Sequence, residues 1–339
     1  MIGVRNGTRK RARLVALGAE VPERVVTNAD MAKVVDTSDE WIYSRTGIKE
    51  RRFVADDEAT SDLAVRAAEK ILAEAEIDPL DLDALIIPTA SPDHIFPATA
   101  TLVADRIGAH RAAAFDILAG CTGFIYGLAQ ATALIESGLA GNVLVVGAEA
   151  LTRITDQTDR RTCVLFGDAA AGALLVGAPE DEVTGFLGFE LGADGSGGPD
   201  LVVPAGGSRM PAQSGPYEPA QSCIQMNGRE VFKFATRVMV DSCTKLLDAL
   251  EMHVDEIDLL VPHQANQRII DHAIRRLGIP PEKVFNNLEL YGNTSSASIP
   301  LAMLEAREAG LLAAGDMTLL VGFGAGLTWG STVMRYEPT

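Results

Sequence analysis

The chain has 339 residues, 47% of them apolar, and sets 29 basic against 46 acidic side chains for a net charge of −17. A chain this apolar buries a sizeable core and is not disordered, and its length fits about two domains. A body this acidic repels phosphate backbones and anionic lipid, which argues against nucleic acid and membrane surfaces as partners.

The chain opens on Arg5, Arg9, Lys10, Arg11 and Arg13, which read as a frayed, solvated terminus. No apolar run approaches the ~18 residues of a membrane helix. Glu20 interrupts the stretch from Leu14 to Ala19 too early for a signal peptide. Ser61–Ala75 and Thr122–Ser137 carry helical periodicity, while Leu85–Thr89, Ala112–Ile117 and Val143–Gly147 read as buried strands. The alternation is that of α/β layers around buried sheets.

The second half repeats the first. Ala84–Pro88 resembles Asp258–Pro262 at an offset of about 174, and Leu144–Gly147 resembles Leu319–Gly322 at 175. Between them, Gly120-Cys121-Thr122 resembles Gly292-Asn293-Thr294 at 172. The expectation is two similar halves, 14–179 and 180–339. Residues 192–222, with seven Gly and five Pro, read as a long loop or flap between the halves.

The four cysteines show no metal-ligand spacing, and a core this large needs no disulfide staples, so they read as cytosolic thiols. Cys121 follows a strand and precedes a helix, where the helix dipole and free N–H groups stabilise a thiolate. Its neighbours Ala119, Gly120 and Gly123 leave room for a substrate. A buried, inert cysteine is the competing reading. Cys163 lies in an apolar run, and Cys223 and Cys243 have no special setting.

His263 follows the strand Leu259–Val261, at the strand end where α/β layers display functional side chains. A lone His after a strand is more often a structural hydrogen-bonder. Asn293 is either displayed on the same edge or caps a helix. Gly322-Phe323-Gly324-Ala325-Gly326 offers unobstructed backbone N–H groups, suited to an oxyanion or to tight packing.

In their order these features resemble one family, 3-oxoacyl-[acyl-carrier-protein] synthase III, the initiating condensing enzymes of bacterial fatty-acid synthesis. The matching motifs start with Thr37-Ser38-Asp39-Glu40-Trp41-Ile42, Arg45-Thr46-Gly47-Ile48 and Ala119–Phe124. They continue with Phe166-Gly167-Asp168, His263-Gln264-Ala265-Asn266 with Arg268, Tyr291-Gly292-Asn293-Thr294-Ser295 and Gly324–Gly330. The resemblance runs from about Val15 to Arg335.

It implies a thiolase fold, α/β, with duplicated βαβαβ halves in five α-β-α-β-α layers. It further implies a Cys121, His263 and Asn293 triad with the backbone N–H groups of Cys121 and Ala325 as oxyanion donors. Coenzyme A contacts would come from Thr37, Trp41, Arg45, Arg160, Phe232 and Asn266, with Trp41 and Arg160 sandwiching the adenine. Arg161 stands where the family often has Gly, and Ala325 where some members have Gly. Lys233, Arg268, Arg275 and Arg276 would dock an acidic acyl carrier protein, and Phe96 would reach the neighbouring acyl pocket of a homodimer. The implied enzyme is cytoplasmic and needs neither metal nor redox cofactor.

The implied reaction is a ping-pong condensation, in which Cys121 takes an acyl group from acyl-CoA and malonyl-carrier protein then supplies a decarboxylated enolate. Cys-His-Asn is also the triad of papain-like hydrolases, against which stand the duplicated halves and the Trp and Arg of the nucleotide site. A biosynthetic thiolase would need a second cysteine after Cys243, and an elongating synthase a second histidine where Asn293 stands. A polyketide-type priming synthase and a non-catalytic binding protein of the same fold remain as alternatives, and the primer is unspecified.

Overall fold

The computed structural model describes residues 10–180, 184–211, 213 and 218–338. The chain starts with β1 (Lys10–Glu20), β2 (Arg24–Thr27), α1 (Asn28–Met31), α2 (Asp39–Thr46), β3 (Glu50–Phe53) and α3 (Thr60–Ala75). Then β4 (Ala84–Pro88), α4 (Thr99–Arg106), β5 (Ala113–Ile117), α5 (Gly123–Glu136), β6 (Asn142–Glu149) and β7 (Ala169–Pro179) complete one sheet and its helices. A second set follows. It holds β8 (Gly185–Ala193), β9 (Leu201–Val202), β10 (Gln225–Met226), α6 (Gly228–Ala249), β11 (Leu259–Pro262) and α7 (Gln267–Leu277). It closes with α8 (Leu288–Tyr291), α9 (Ser298–Glu308), β12 (Met317–Gly324) and β13 (Thr328–Arg335).

The first sheet has the order β1-β7-β6-β4-β5 and the second the order β8-β13-β12-β11. Corresponding strands occupy corresponding places, with β4 parallel to β6 as β11 is to β12. The counterpart of β5 shrinks to a single parallel bridge between Leu260 and Val284.

The central strands are buried on both faces, which is why they read as unbroken apolar runs. In β4, Ile86 joins the core between the sheets, while Leu85 and Ile87 face α3 and α4 outside. In β12, Leu320 faces the same central core, while Leu319 and Val321 face α6 and α7. Helices α5 and α9 fill the middle through Phe124, Leu128, Ile299 and Met303. The result is the five-layered α-β-α-β-α stack.

Three expectations are corrected. Lys10, Arg11 and Arg13 are not a frayed end, because β1 begins at Lys10 and pairs antiparallel with β7; Arg5 and Arg9 lie outside the described residues. The 192–222 segment does not separate the halves, since β8 before it already belongs to the second sheet, and β9 pairs with β10 across it. Its residues 212 and 214–217 lie outside the described set. Finally, the repeat at the nucleophile is out of register by three. The turn Gly120–Thr122 before α5 matches the turn Ser295–Ala297 before α9, at the same offset of 175 as the strands. Their first residues share one left-handed backbone conformation, φ +54° at Gly120 and +49° at Ser295.

Candidate active site

Cys121 lies in the 3-10 turn Gly120–Thr122, which runs directly into α5. Close backbone approach shapes its surroundings. A Cβ on Gly120 would stand 2.7 Å from the Ala325 nitrogen, so only glycine fits between the two turns. The amides of Cys121 and Ala325 are thereby brought to one place, as an oxyanion site requires.

His263 follows β11, its backbone N–H donating to the Val321 carbonyl at 2.8 Å. Its Nδ1 contacts the Ser298 hydroxyl at 2.7 Å, while its buried Nε2 has no hydrogen-bond partner. Asn293 is pinned by its main chain: its N–H donates to Leu165 O at 2.8 Å, and its carbonyl accepts from Gly167 N–H at 3.1 Å. The Phe166-Gly167-Asp168 motif therefore serves as the brace for Asn293. The Ser295 N–H donates to Asn293 Oδ1 at 2.9 Å, which assigns the oxygen of this amide to the turn and leaves its NH2 for the cavity.

The electrostatics revise one expectation. Burial pushes the Cys121 thiol up to about 12, a shift that the nearby Glu149 carboxyl increases and a hydrogen bond with Ser295 opposes. A helix N-terminus is worth at most ~2 kcal/mol, or roughly 1.5 pK units, so it does not restore a resting thiolate. Burial also drives His263 down to about 3. Both groups are neutral near pH 7.

Two buried carboxyls stand behind the nucleophile. Asp168 Oδ1 accepts from Thr152 N–H at 2.9 Å and Oδ2 from Val54 N–H at 2.9 Å, and burial raises it to about 6. Fully buried Glu149 Oε2 accepts from Ala90 N–H at 3.0 Å and Ser91 O–H at 2.7 Å, and its Oε1 lies 2.9 Å from Ser296 Oγ. Burial shifts Glu149 upward as well. Glu149, Ser295 and Ser298 were not singled out by residue type. The one signal for Glu149 is a lone acid closing an otherwise apolar strand.

Cys121 sits where two cavities meet. One, of about 250 Å³, is lined by Leu118, Leu151, Ile154, Phe166, Leu201 and Val203, with Ser295 and Ala325 beside the sulfur. The other, of about 100 Å³, carries His263 and Asn293 and runs past Phe323 to Phe232 and Asn266. Asn266 caps α7 by accepting from Arg268 N–H at 2.9 Å, and donates to the Arg45 carbonyl at 3.1 Å, so its amide already serves the fold.

Trp41 has two guanidinium groups against its ring, Arg45 at 4.7 Å and Arg160 at 4.9 Å. A base stacked between Trp41 and Arg160 would need roughly 7 Å, so that slot is closed here. Arg160 donates to the Asp36 carbonyl at 2.6 Å, and Arg161 is held by Asp159 at 2.8 Å. The buried Thr37 hydroxyl has no partner. Arg268 stacks over Phe232 at 5.5 Å, and Lys233, Arg268, Arg275 and Arg276 are all exposed. No cluster suited to a metal ion occurs among the described residues.

Family models described as 3-oxoacyl-[acyl-carrier-protein (ACP)] synthase III and as its C-terminal part match residues 115–195 and 247–336. A beta-ketoacyl-[acyl-carrier-protein] synthase III of Symbiobacterium thermophilum is 51% identical, covering 95% of this chain and 97% of its own length. This chain belongs to the beta-ketoacyl-[acyl-carrier-protein] synthase III family. A crystal structure of that enzyme from Thermus thermophilus is 51% identical with a TM-score of 0.89, covering 96% of this chain and all of its own. The priming β-ketosynthase of the R1128 polyketide pathway is 32% identical with a TM-score of 0.88, covering 99% of this chain and all of its own. The fold is thus the thiolase fold, and the chain is a condensing acyltransferase.

Proposed function

We propose that the chain joins a short acyl-CoA primer to malonyl-acyl carrier protein, as the initiating condensation of type II fatty-acid synthesis. The observation that carries this reading is that Cys121 shares one cavity with the unpartnered His263 Nε2 and the Asn293 amide, where burial disfavours charge on both thiol and ring. A protease-like site would hold a thiolate and an imidazolium instead.

In the first half-reaction Cys121 sulfur attacks the thioester carbon, and the Cys121 and Ala325 N–H groups hold the oxyanion. The C–S bond to coenzyme A breaks, and the thiol proton of Cys121 ends on the departing coenzyme A. In the second, the 2.7 Å contact between Ser298 Oγ and His263 Nδ1 serves with Ser298 as donor, so that the ring proton sits on Nε2. That N–H and the Asn293 NH2 donate to the malonyl thioester oxygen. The carboxylate leaves as CO2, the resulting enolate attacks the acyl-Cys121 carbon, and the thiolate released takes a proton from solvent. Nothing in this sequence calls for a metal or redox group.

Coenzyme A would use Thr37, Trp41, Arg45, Arg160 and Phe232, once Arg160 moves off the Trp41 ring. The acidic carrier would dock on Lys233, Arg268, Arg275 and Arg276. A second copy would pair along β5, an edge strand flanked by the exposed Ile95, Phe96 and Leu118, with Phe96 entering the partner's acyl cavity. Free thiols and a coenzyme A substrate fit the cytoplasm. The test is a panel of acyl-CoA primers with malonyl-acyl carrier protein, products being read by mass spectrometry. Formation of no 3-oxoacyl product from any primer refutes the reading.

A further inference from the structure

Ser295 holds a backbone conformation that an L-residue adopts at a cost, while the equivalent turn in the other half uses glycine. A hydroxyl is therefore kept where glycine would relax the chain. Ser295 is buried and lines the larger cavity beside Cys121, and from that position its side chain favours charge on the Cys121 sulfur.

We propose that Ser295 is a further catalytic residue, its hydroxyl supporting negative charge on the Cys121 sulfur, and that a protonated Glu149 holds its turn in place. This rests on the reading of Cys121 as the acyl-carrying residue. Charge develops on that sulfur twice, during attack on the primer thioester and again when the enolate displaces it. A donor already in position serves both moments.

The protonation of Glu149 follows from counting hydrogens. Ser296 Oγ lies 2.9 Å from the Pro88 carbonyl and 2.9 Å from Glu149 Oε1. For both contacts to be full two-centre hydrogen bonds two protons are needed, and the hydroxyl supplies one. A carboxyl proton on Oε1 supplies the second. Glu149 Oε2 faces only donors, from Thr89, Ala90 and Ser91, and remains the acceptor. The titratable groups that face Glu149 are Cys121 on the nucleophile turn and Asp168 beside β7. Neither supplies a positive charge that would favour the carboxylate. A neutral Glu149 also removes an anion that would oppose a Cys121 thiolate.

The test uses Ser295→Gly, Glu149→Gln and Glu149→Ala in the full-length protein. Glycine accepts the left-handed conformation, so Ser295→Gly folds with a Tm at or above wild type, and its backbone N–H still orients Asn293. Its rate of Cys121 acylation by acyl-CoA falls about tenfold while malonyl decarboxylation is kept, and the rate of iodoacetamide alkylation of Cys121 at a fixed pH near 8 falls about tenfold as well. Glutamine offers an N–H in place of the carboxyl O–H, so Glu149→Gln restores most of what Glu149→Ala loses.

Two results would each overturn the proposal: an unchanged alkylation rate at pH 8 in Ser295→Gly, or Glu149→Gln impaired more than tenfold in either half-reaction. The second criterion holds even if Glu149→Ala does not fold. A wild-type protein that accepts no acyl-CoA, with an alkylation rate at pH 8 that still falls in Ser295→Gly, would refute the functional reading and leave the effect of Ser295 on the sulfur standing.

Discussion

Gly324 lies so close to Cys121 that a Cβ on Gly324 would stand 2.5 Å from the Cys121 backbone nitrogen. That nitrogen is one of the two proposed oxyanion donors, and its hydrogen needs the space. Gly324→Ala should therefore slow acylation of Cys121 by about 10²-fold, the usual effect of losing one such donor. Rapid-quench measurement of acyl-enzyme formation checks it; a loss under threefold would show that the turn relaxes around the methyl group.

Acyl transfer should label Cys121 alone. Cys163 and Cys243 are buried, and neither lines the cavities that meet at Cys121. Peptide mapping after incubation with a short acyl-CoA should give one adduct, absent in Cys121→Ala. Labelling of Cys163 or Cys243, with Cys121→Ala still active, would contradict the assignment.

The primer should exceed acetyl. The larger cavity offers about 250 Å³ of apolar space before a second copy's Phe96 enters it, where a single water needs only ~10–15 Å³ on the same measure. Each methylene that fills such a pocket is worth ~1–3 kcal/mol of discrimination. Primers of about four to six carbons, straight or branched, should show higher kcat/KM than acetyl-CoA. A clear preference for acetyl-CoA in direct competition would show that the cavity is closed in the working enzyme.

The central strands were legible because burial on both faces leaves an uninterrupted apolar run, as in Leu85–Ile87 and Leu319–Val321. Strand β1 was not legible at its start, since its first residues Lys10 and Arg11 are polar and its pairing with β7 is long-range. The triad candidates were visible because reactive residue types stand at strand ends. The equivalence of Gly120 and Ser295 was hidden for a physical reason: the shared property is a torsion angle, and a Gly-x-Thr match at Asn293 drew the alignment three residues away. The protonation of Cys121 was equally unreadable, because it depends on burial contributed by segments distant in the chain.

His263→Ala and Asn293→Ala should depress malonyl decarboxylation by ~10²–10³-fold and acylation much less, because both donors serve the enolate. Wild-type decarboxylation should also show no inflection near the ordinary histidine value, since His263 stays neutral down to about pH 3. Separate assays of the two half-reactions decide it. Equal losses in both would make His263 the obligatory base for the thiol.

Stability should carry the same signature. The folded His263 value is depressed, so unfolding takes up a proton between about pH 6.5 and pH 3. Its contribution is complete above pH 6.5 and declines as pH falls through that window, at up to ~1.4 kcal/mol per pH unit. Urea unfolding of His263→Gln should show an acid limb shallower by about one proton than wild type. Superimposable limbs would mean that the ring titrates in the folded protein.

Arg268 and Arg275 are both exposed on α7, and among the described residues neither forms an ion pair with an acid. Reversing both charges should raise the KM for malonyl-carrier protein and flatten its salt dependence, since exposed charges act mainly on encounter. Unchanged KM and salt response would move the docking surface elsewhere.

The two cavities have only Cys121, Phe166 and Leu201 in common among their lining residues. The two cavities therefore meet at these three side chains, with the sulfur among them. If both thioester arms arrive through the narrower branch, the delivering arm must withdraw before the extending arm enters, and the primer must wait in the wider branch. Order is then imposed by width rather than by affinity. Excess of either substrate obstructs the other, and each should act as a competitive inhibitor of its counterpart at high concentration.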